Sequence, residues 1–138
     1  MLGGGNPVSS GTPSGTGQIL QYVGGHVSGH SGVVSVNNVE TTLIKSTIPS
    51  NSYIVVKVQG YFAAATGTTE LLDDARFRIF VDDELLASFQ YKANNEFFGP
   101  EFPKLLVVGG STLKITCENV TDASIIPMGC LVTGEVYY

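Results

Sequence analysis

Between about Gln18 and Tyr138 the chain alternates apolar and polar residues in short runs, and Gly, Pro, Asn or Asp punctuates the gaps between them. Successive side chains of an extended strand point to opposite faces. A chain written with this period therefore buries one face of each strand and wets the other. The clearest run is Tyr53 to Ala65, where Ile54, Val56, Val58, Gly60 and Phe62 share one face and Lys57 and Gln59 occupy the other. Gly60 in mid-strand predicts a bulge or a close backbone approach. Ala75 to Val81 turns Phe77, Ile79 and Val81 inward and Arg76 and Arg78 outward, and Asp82-Asp83 makes a tight turn into Glu84 to Tyr91. In that returning strand Leu85, Ala87, Phe89 and Tyr91 oppose Leu86, Ser88, Gln90 and Lys92, which completes a β-hairpin.

Further strands are read at Gln18–Val23, Val33–Val36, Val39–Ser46, Leu105–Val108, Ser111–Asn119 and Met128–Tyr138. No segment carries a 3.6-residue period with caps. Eight or nine strands at this spacing predict an all-β fold, an antiparallel β-sandwich of jelly-roll type over residues 18–138. Residues 1–17 are rich in Gly, Ser and Thr and offer only Leu2, Pro7 and Val8 as anchoring side chains. Such a stretch buries too little surface to offset its ordering entropy, so it reads as an extended arm that a partner must order. Gly24 to Gly32 reads as a second flexible piece. Phe97 to Pro103 reads as irregular, because Pro100 and Pro103 exclude a central strand; it is placed at an edge or one end, where Phe97, Phe98 and Phe102 plug the core or meet a neighbour.

Charged residues make up 14% of the 138-residue chain, against about 25% in an average soluble domain. A surface so poor in charge is expected to be covered in part by other chains, either copies of itself or a larger assembly. The simpler alternative is a monomer coated with Thr, Ser and Asn. The net charge is −5, and Lys45, Lys57, Arg76, Arg78, Lys92, Lys104 and Lys114 are scattered along the chain. Without a basic stripe, neither nucleic acid nor an anionic membrane is expected as a partner. The start, Met1-Leu2-Gly3-Gly4-Gly5, has neither the positive region nor the apolar run of a secretion signal, so use without that export route is expected. Cys117 and Cys130 are expected to be free, buried thiols. Asn119-Val120-Thr121 matches a glycosylation acceptor and reads as a chance match in a turn.

Candidate chemistry is sparse. His26 and His30 would share a helix face, but four glycines within residues 24–32 argue against the helix, and exposed loop histidines are the expectation. The carboxylates at Glu70, Asp73 and Asp74 and at Asp82, Asp83 and Glu84 lack calcium-loop spacing and read as a solvated loop and a hairpin turn. No nucleophile elbow, P-loop or dinucleotide fingerprint is present, so a non-enzymatic protein without metal or cofactor is expected. The absence of tryptophan weakens a sugar-stacking site. Tyr22, Tyr53, Tyr61, Tyr91, Tyr137 and Tyr138 substitute only if several line one exposed face.

The segments Ala75 to Phe89 (ARFRIFVDDELLASF), Gly110 to Asn119 (GSTLKITCEN) and Gly134 to Tyr138 (GEVYY), taken with the Gly-rich arm, resemble small jelly-roll virion proteins of tailed bacteriophages, including capsid decoration or cement proteins. The likeness is one of pattern, without a signature motif. It implies a protein made in the host cytoplasm that binds the major capsid protein on the virion exterior as a homotrimer, bridging capsid subunits. Carried onto this chain, loosely and only through Leu2 to Val8, it implies capsid anchoring by Leu2, Asn6, Pro7 and Val8; Phe97, Phe98, Phe102 and Tyr137 are read from the residues themselves as a subunit interface. The alternative expectation is a receptor- or glycan-binding module, such as a tail-fibre tip or lectin-like domain.

Overall fold

The computed structural model describes residues 18–62, 74–92, 98–101, 104–121 and 123–138. It is all-β over these residues, with β1 (Gln21–Val23), β2 (His26–His30), β3 (Val34–Val36), β4 (Thr41–Thr47), β5 (Tyr53–Phe62), β6 (Asp74–Val81), β7 (Glu84–Lys92), β8 (Phe98–Glu101), β9 (Leu105–Val108), β10 (Thr112–Asn119) and β11 (Ile126–Tyr137). A seven-stranded sheet has the order β1-β2-β11-β5-β8, with β3 also paired to β11 and β9 also paired to β5. A four-stranded sheet has the order β4-β10-β6-β7. Every pairing between named strands is antiparallel.

The inward residues of both sheets form one cluster, which is what makes the two sheets a sandwich. Ile54, Val56, Val58 and Phe62 enter it from β5, Ala75, Phe77 and Ile79 from β6, Leu113, Ile115 and Cys117 from β10, and Met128, Cys130 and Val132 from β11. Phe77 lies at its centre, fully buried, with its ring centroid 6.0 Å from that of Phe62. A Cβ at Gly60 would stand 2.9 Å from the Phe77 ring, so the missing side chain on β5 is the space that the ring fills from the other sheet. The ladder between β5 and β8 also shifts register between Gln59 and Tyr61, so close approach and bulge coincide at this glycine. Burying a phenylalanine side chain contributes about 1.5–3 kcal/mol, which sets the weight of this contact.

On one flank the chain itself closes the sandwich. Gln18 bridges in parallel to Ile44 on the outer edge of β4, donating to the Leu43 carbonyl at 3.0 Å and accepting from the Lys45 amide at 2.9 Å. Leu20 then enters the core on the way to β1, its amide bonded to Ser46 Oγ at 3.2 Å. Gly29 makes room for it, since a Cβ there would lie 2.7 Å from Leu20 Cδ2.

Several expectations change. Gly24 to Gly32 is not a flexible piece: Gly24-Gly25 is a two-residue turn, with Gly24 at φ 61°, that returns the chain into β2 between β1 and β11. Val27 and Gly29 face the core and His26, Ser28 and His30 face out, so the glycines that spoke against order serve a turn and a tight contact. With β2 and β8 added, the described residues hold eleven strands rather than eight or nine. Phe98–Glu101 is a short edge strand, a setting that tolerates Pro100. The hairpin turn has Asp82 and Asp83 at φ 52° and 66°, the left-handed pair that matches strand twist. A bulge between Ile79 and Phe80 pairs Phe80 with Leu85, so Leu85 lies on the outer face, not in the core, and both Leu85 and Leu86 are exposed. The arm, residues 1–17, lies outside the described residues, as do Phe97 and Phe102.

Cys117 and Cys130 are free and buried, on strands of different sheets. Burial pushes the Cys130 thiol from 9.0 up to about 12, against the lowering effect of a hydrogen bond with Ser31, and burial likewise raises Cys117 well above its ordinary value. Asn119 is buried; its side chain donates to the Ser124 carbonyl at 2.8 Å and accepts from the Thr121 amide at 2.8 Å. It holds the turn after β10 and is unavailable to a glycosylating enzyme.

Gly60→Val is expected to destabilise the fold by about 1–3 kcal/mol, because the added carbons meet the Phe77 ring in a filled core; a lower urea midpoint at unchanged slope is the readout. Because the folded thiols hold their protons where the unfolded chain has lost them, their contribution to stability is complete below about pH 9 and is lost as pH rises toward 12. Urea midpoints measured from pH 8 upward should fall, and the fall should shrink in Cys130→Ala.

Candidate functional site

The two outer faces of the sandwich differ in kind. On the four-stranded sheet, Glu118, Arg76 and Gln90 form one cross-strand row, and Thr116, Arg78 and Ser88 the next. Arg76 binds Glu118 at 2.7 Å, and Arg78 lies 3.4 Å from Glu40 and 3.9 Å from Glu118. Thr116 donates to the other oxygen of Glu40. Lys114 sits 4.7 Å from the centre of the Phe80 ring and 3.6 Å from Asp83. Three of the seven basic residues are thus paired with carboxylates on this face.

The seven-stranded sheet presents the opposite. Period two on β5, β9 and β11 aims Tyr53, Val55, Leu106, Val108 and Tyr137 outward, and the register places Tyr53 beside both Val108 and Tyr137, and Val55 beside Leu106. The rings of Tyr53 and Tyr137 stack at 5.3 Å with 21° between their planes. Leu106 and Val108 are 57% and 55% exposed while Val107 between them is 1% exposed, so β9 offers apolar side chains on both faces and only one is used by the core. A strand with two apolar faces is the pattern of a sheet covered on both sides.

Beside this apolar corner runs a groove of about 400 Å³, whose lining includes His26, Lys57, Lys104, Thr133, Glu135 and Tyr137, with Val55, Val56 and Gly134. The Tyr137 hydroxyl donates to Glu135 Oε1 at 2.8 Å, and that bond, reinforced by the carboxylate's charge, raises the phenol above its ordinary value. Farther along the same face the Tyr61 hydroxyl lies 2.6 Å from His30 Nε2. The Tyr61 ring covers Gly129, where a Cβ would stand 2.7 Å from ring atom Cζ. Burial raises the Tyr61 phenol, so it is a neutral hydroxyl at ordinary pH.

Of the residues expected at a subunit interface, Tyr137 is exposed at the apolar corner and Phe98 begins edge strand β8; Phe97 and Phe102, with Leu2, Asn6, Pro7 and Val8, lie outside the described residues. His26 and His30 are exposed, as expected, but sit at the two ends of a strand rather than in a loop. Four strand positions separate them by roughly 13 Å, too far to share one ion. No group of three or more His, Cys, Asp or Glu residues that could hold a metal is found among the described residues. Tyr53, Tyr61 and Tyr137 do line one face, which was the condition for tyrosines to replace tryptophan at a sugar-binding surface. The corner itself went unread in the sequence, although the consecutive apolar runs Tyr53–Val56 and Leu105–Val108 carry its signal.

No protein-family model, curated protein or solved structure matches the chain.

Proposed function

We propose that the protein is a non-enzymatic structural component of a phage virion, a jelly-roll sandwich that decorates and stabilises the capsid exterior by bridging capsid subunits as a homotrimer. The observation that carries this reading is the contrast between the outer faces: one sheet neutralises its own charges, while the other leaves Tyr53, Leu106, Val108 and Tyr137 uncovered. Copies related by a three-fold axis would cover that corner, which costs each little desolvation because it holds few charges. The strand orders support the jelly-roll topology, since the chain passes from one sheet to the other at β4, β5, β6, β8, β10 and β11.

The position of Gln18 fits the bridging role. It pairs with β4, an edge of the four-stranded sheet, whereas the apolar corner lies by β9, toward the other flank of the seven-stranded sheet. A Gly/Ser/Thr-rich arm leaving at Gln18 can engage the major capsid protein while the corner engages a copy of the same chain. An arm that orders on binding wraps added surface at an entropic cost.

A second reading, a receptor- or glycan-binding module, is favoured by the groove beside Tyr137 and by the three tyrosines on its face.

Sedimentation velocity should give a trimer. Leu106→Glu combined with Tyr137→Arg should weaken self-association at least about tenfold, a change of about 1.4 kcal/mol, with the urea midpoint nearly unchanged. Removal of residues 1–17 should leave the trimer intact and abolish co-sedimentation with capsids lacking this protein. A monomer at all concentrations, or capsid binding that survives both changes, overturns the reading.

A further inference from the structure

A ring of three copies places a demand on its parts that a pair does not. Across a two-fold axis one patch can meet itself, whereas around a three-fold axis each contact joins two different patches of the same chain. The corner at Tyr53, Leu106, Val108 and Tyr137 is one such patch, so the ring needs a second. Leu85 and Leu86, both exposed near the start of β7, supply it. The bulge after Ile79 sets Leu85 beside Phe80 on the outer face of the four-stranded sheet. Both patches lie on one flank of the sandwich. A Cβ at Gly29 of β2 would stand 3.4 Å from Ile44 of β4, and one at Gly60 of β5 would meet Phe77 of β6, so β9 beyond β5 and β7 beyond β6 edge the same side. Both also lie at one end, where Gly110 donates to the Ile48 carbonyl and Asp82 to the Thr112 carbonyl. Val39 and Ile125 are exposed too, but they stand where β11 begins, and the corner is where it ends. The rims of the two patches carry opposite charge: Asp83 and Glu84 precede Leu85, and the exposed Lys104 precedes β9.

We propose that the contact between copies is heterologous: the corner of one copy packs on Leu85 and Leu86 of the next, with Lys104 facing Asp83 and Glu84. The inference rests on the trimer reading above and deepens it by naming what covers the corner. The three-fold axis runs alongside the strands, outside the shared flank, so that patches at equal height meet. The apolar side chains supply the attraction, and the rim charges set the pairing. Corner against corner would oppose Lys104 to its own copy, and hairpin against hairpin would oppose Glu84 to Glu84.

Sedimentation velocity on the full chain tests it with two variants, a corner variant, Leu106→Asp, and a hairpin variant, Leu85→Asp combined with Leu86→Asp. Each alone should lose the trimer, with association weakened at least about tenfold and the urea midpoint near that of the wild type. Mixed one to one, they should form a species of twice the monomer mass that neither forms alone. The intact hairpin of the first then meets the intact corner of the second, and the two altered patches stop the ring from closing. If the aspartates lower the urea midpoint, serine at the same three positions is used for the same readout. A hairpin variant that stays trimeric overturns the inference and leaves the trimer reading standing. Two monomeric variants that form no mixed species overturn the pairing of these two patches. A monomeric wild type overturns the trimer reading, and the inference with it, before any variant is run.

Discussion

Two sheets of unequal width share one core, and at its centre the ring of Phe77 lies against the bare backbone of Gly60. That contact sets how closely β5 and β6 approach at this point of the sandwich. Protein interiors are packed too tightly to absorb an added carbon without displacement, so the spacing is determined rather than approximate. From β5 the hydrogen-bond ladders run to β9 on one side and β11 on the other, and the stacking of Tyr53 on Tyr137 and the pairing of Val55 with Leu106 follow from those registers. The apolar corner is therefore a consequence of the two ladders that β5 carries.

The unequal outer faces give the molecule a direction. Ion pairs between partly exposed side chains contribute little stability, typically under about 1 kcal/mol each. On the four-stranded sheet they hold outward charges in pairs, beside the exposed Leu85 and Leu86. On the seven-stranded sheet the corner around Tyr53 presents the exposed side chains of Leu106, Val108 and Tyr137. Under the proposed function, this difference between the faces would orient each copy in the assembly.

How much of this was legible in the sequence depended on whether one strand or several carried the information. The β6–β7 hairpin and the inward face of β5 were readable because their period of two is local and the turn residues Asp82 and Asp83 sit where the twist demands them. β2 was hidden by Gly24, Gly25, Gly29 and Gly32, since a glycine that serves a tight contact with Leu20 looks in isolation like one that loosens the chain. Leu85 was misplaced because a bulge shifts the count by one residue and reverses the face without any mark in the local pattern. The groove was illegible for a stronger reason: His26, Lys57, Lys104 and Glu135 come from four separate segments, and only the order β2-β11-β5, with β9 beside β5, brings them together.

The bridge at Gln18 has a mechanical side. The residue runs parallel to β4 and holds it through two bonds, to the carbonyl of Leu43 and from the amide of Lys45. A pull on the preceding segment directed along β4 loads both bonds together, in shear, where a perpendicular pull would break them one after the other. Behind them Leu20 is wedged between the sheets, so drawing the chain farther would mean extracting an apolar side chain into water. A load entering at Gln18 would thereby meet β4 and the buried Leu20 before it reached the turn at Gly24 and the strand that carries His26 and His30.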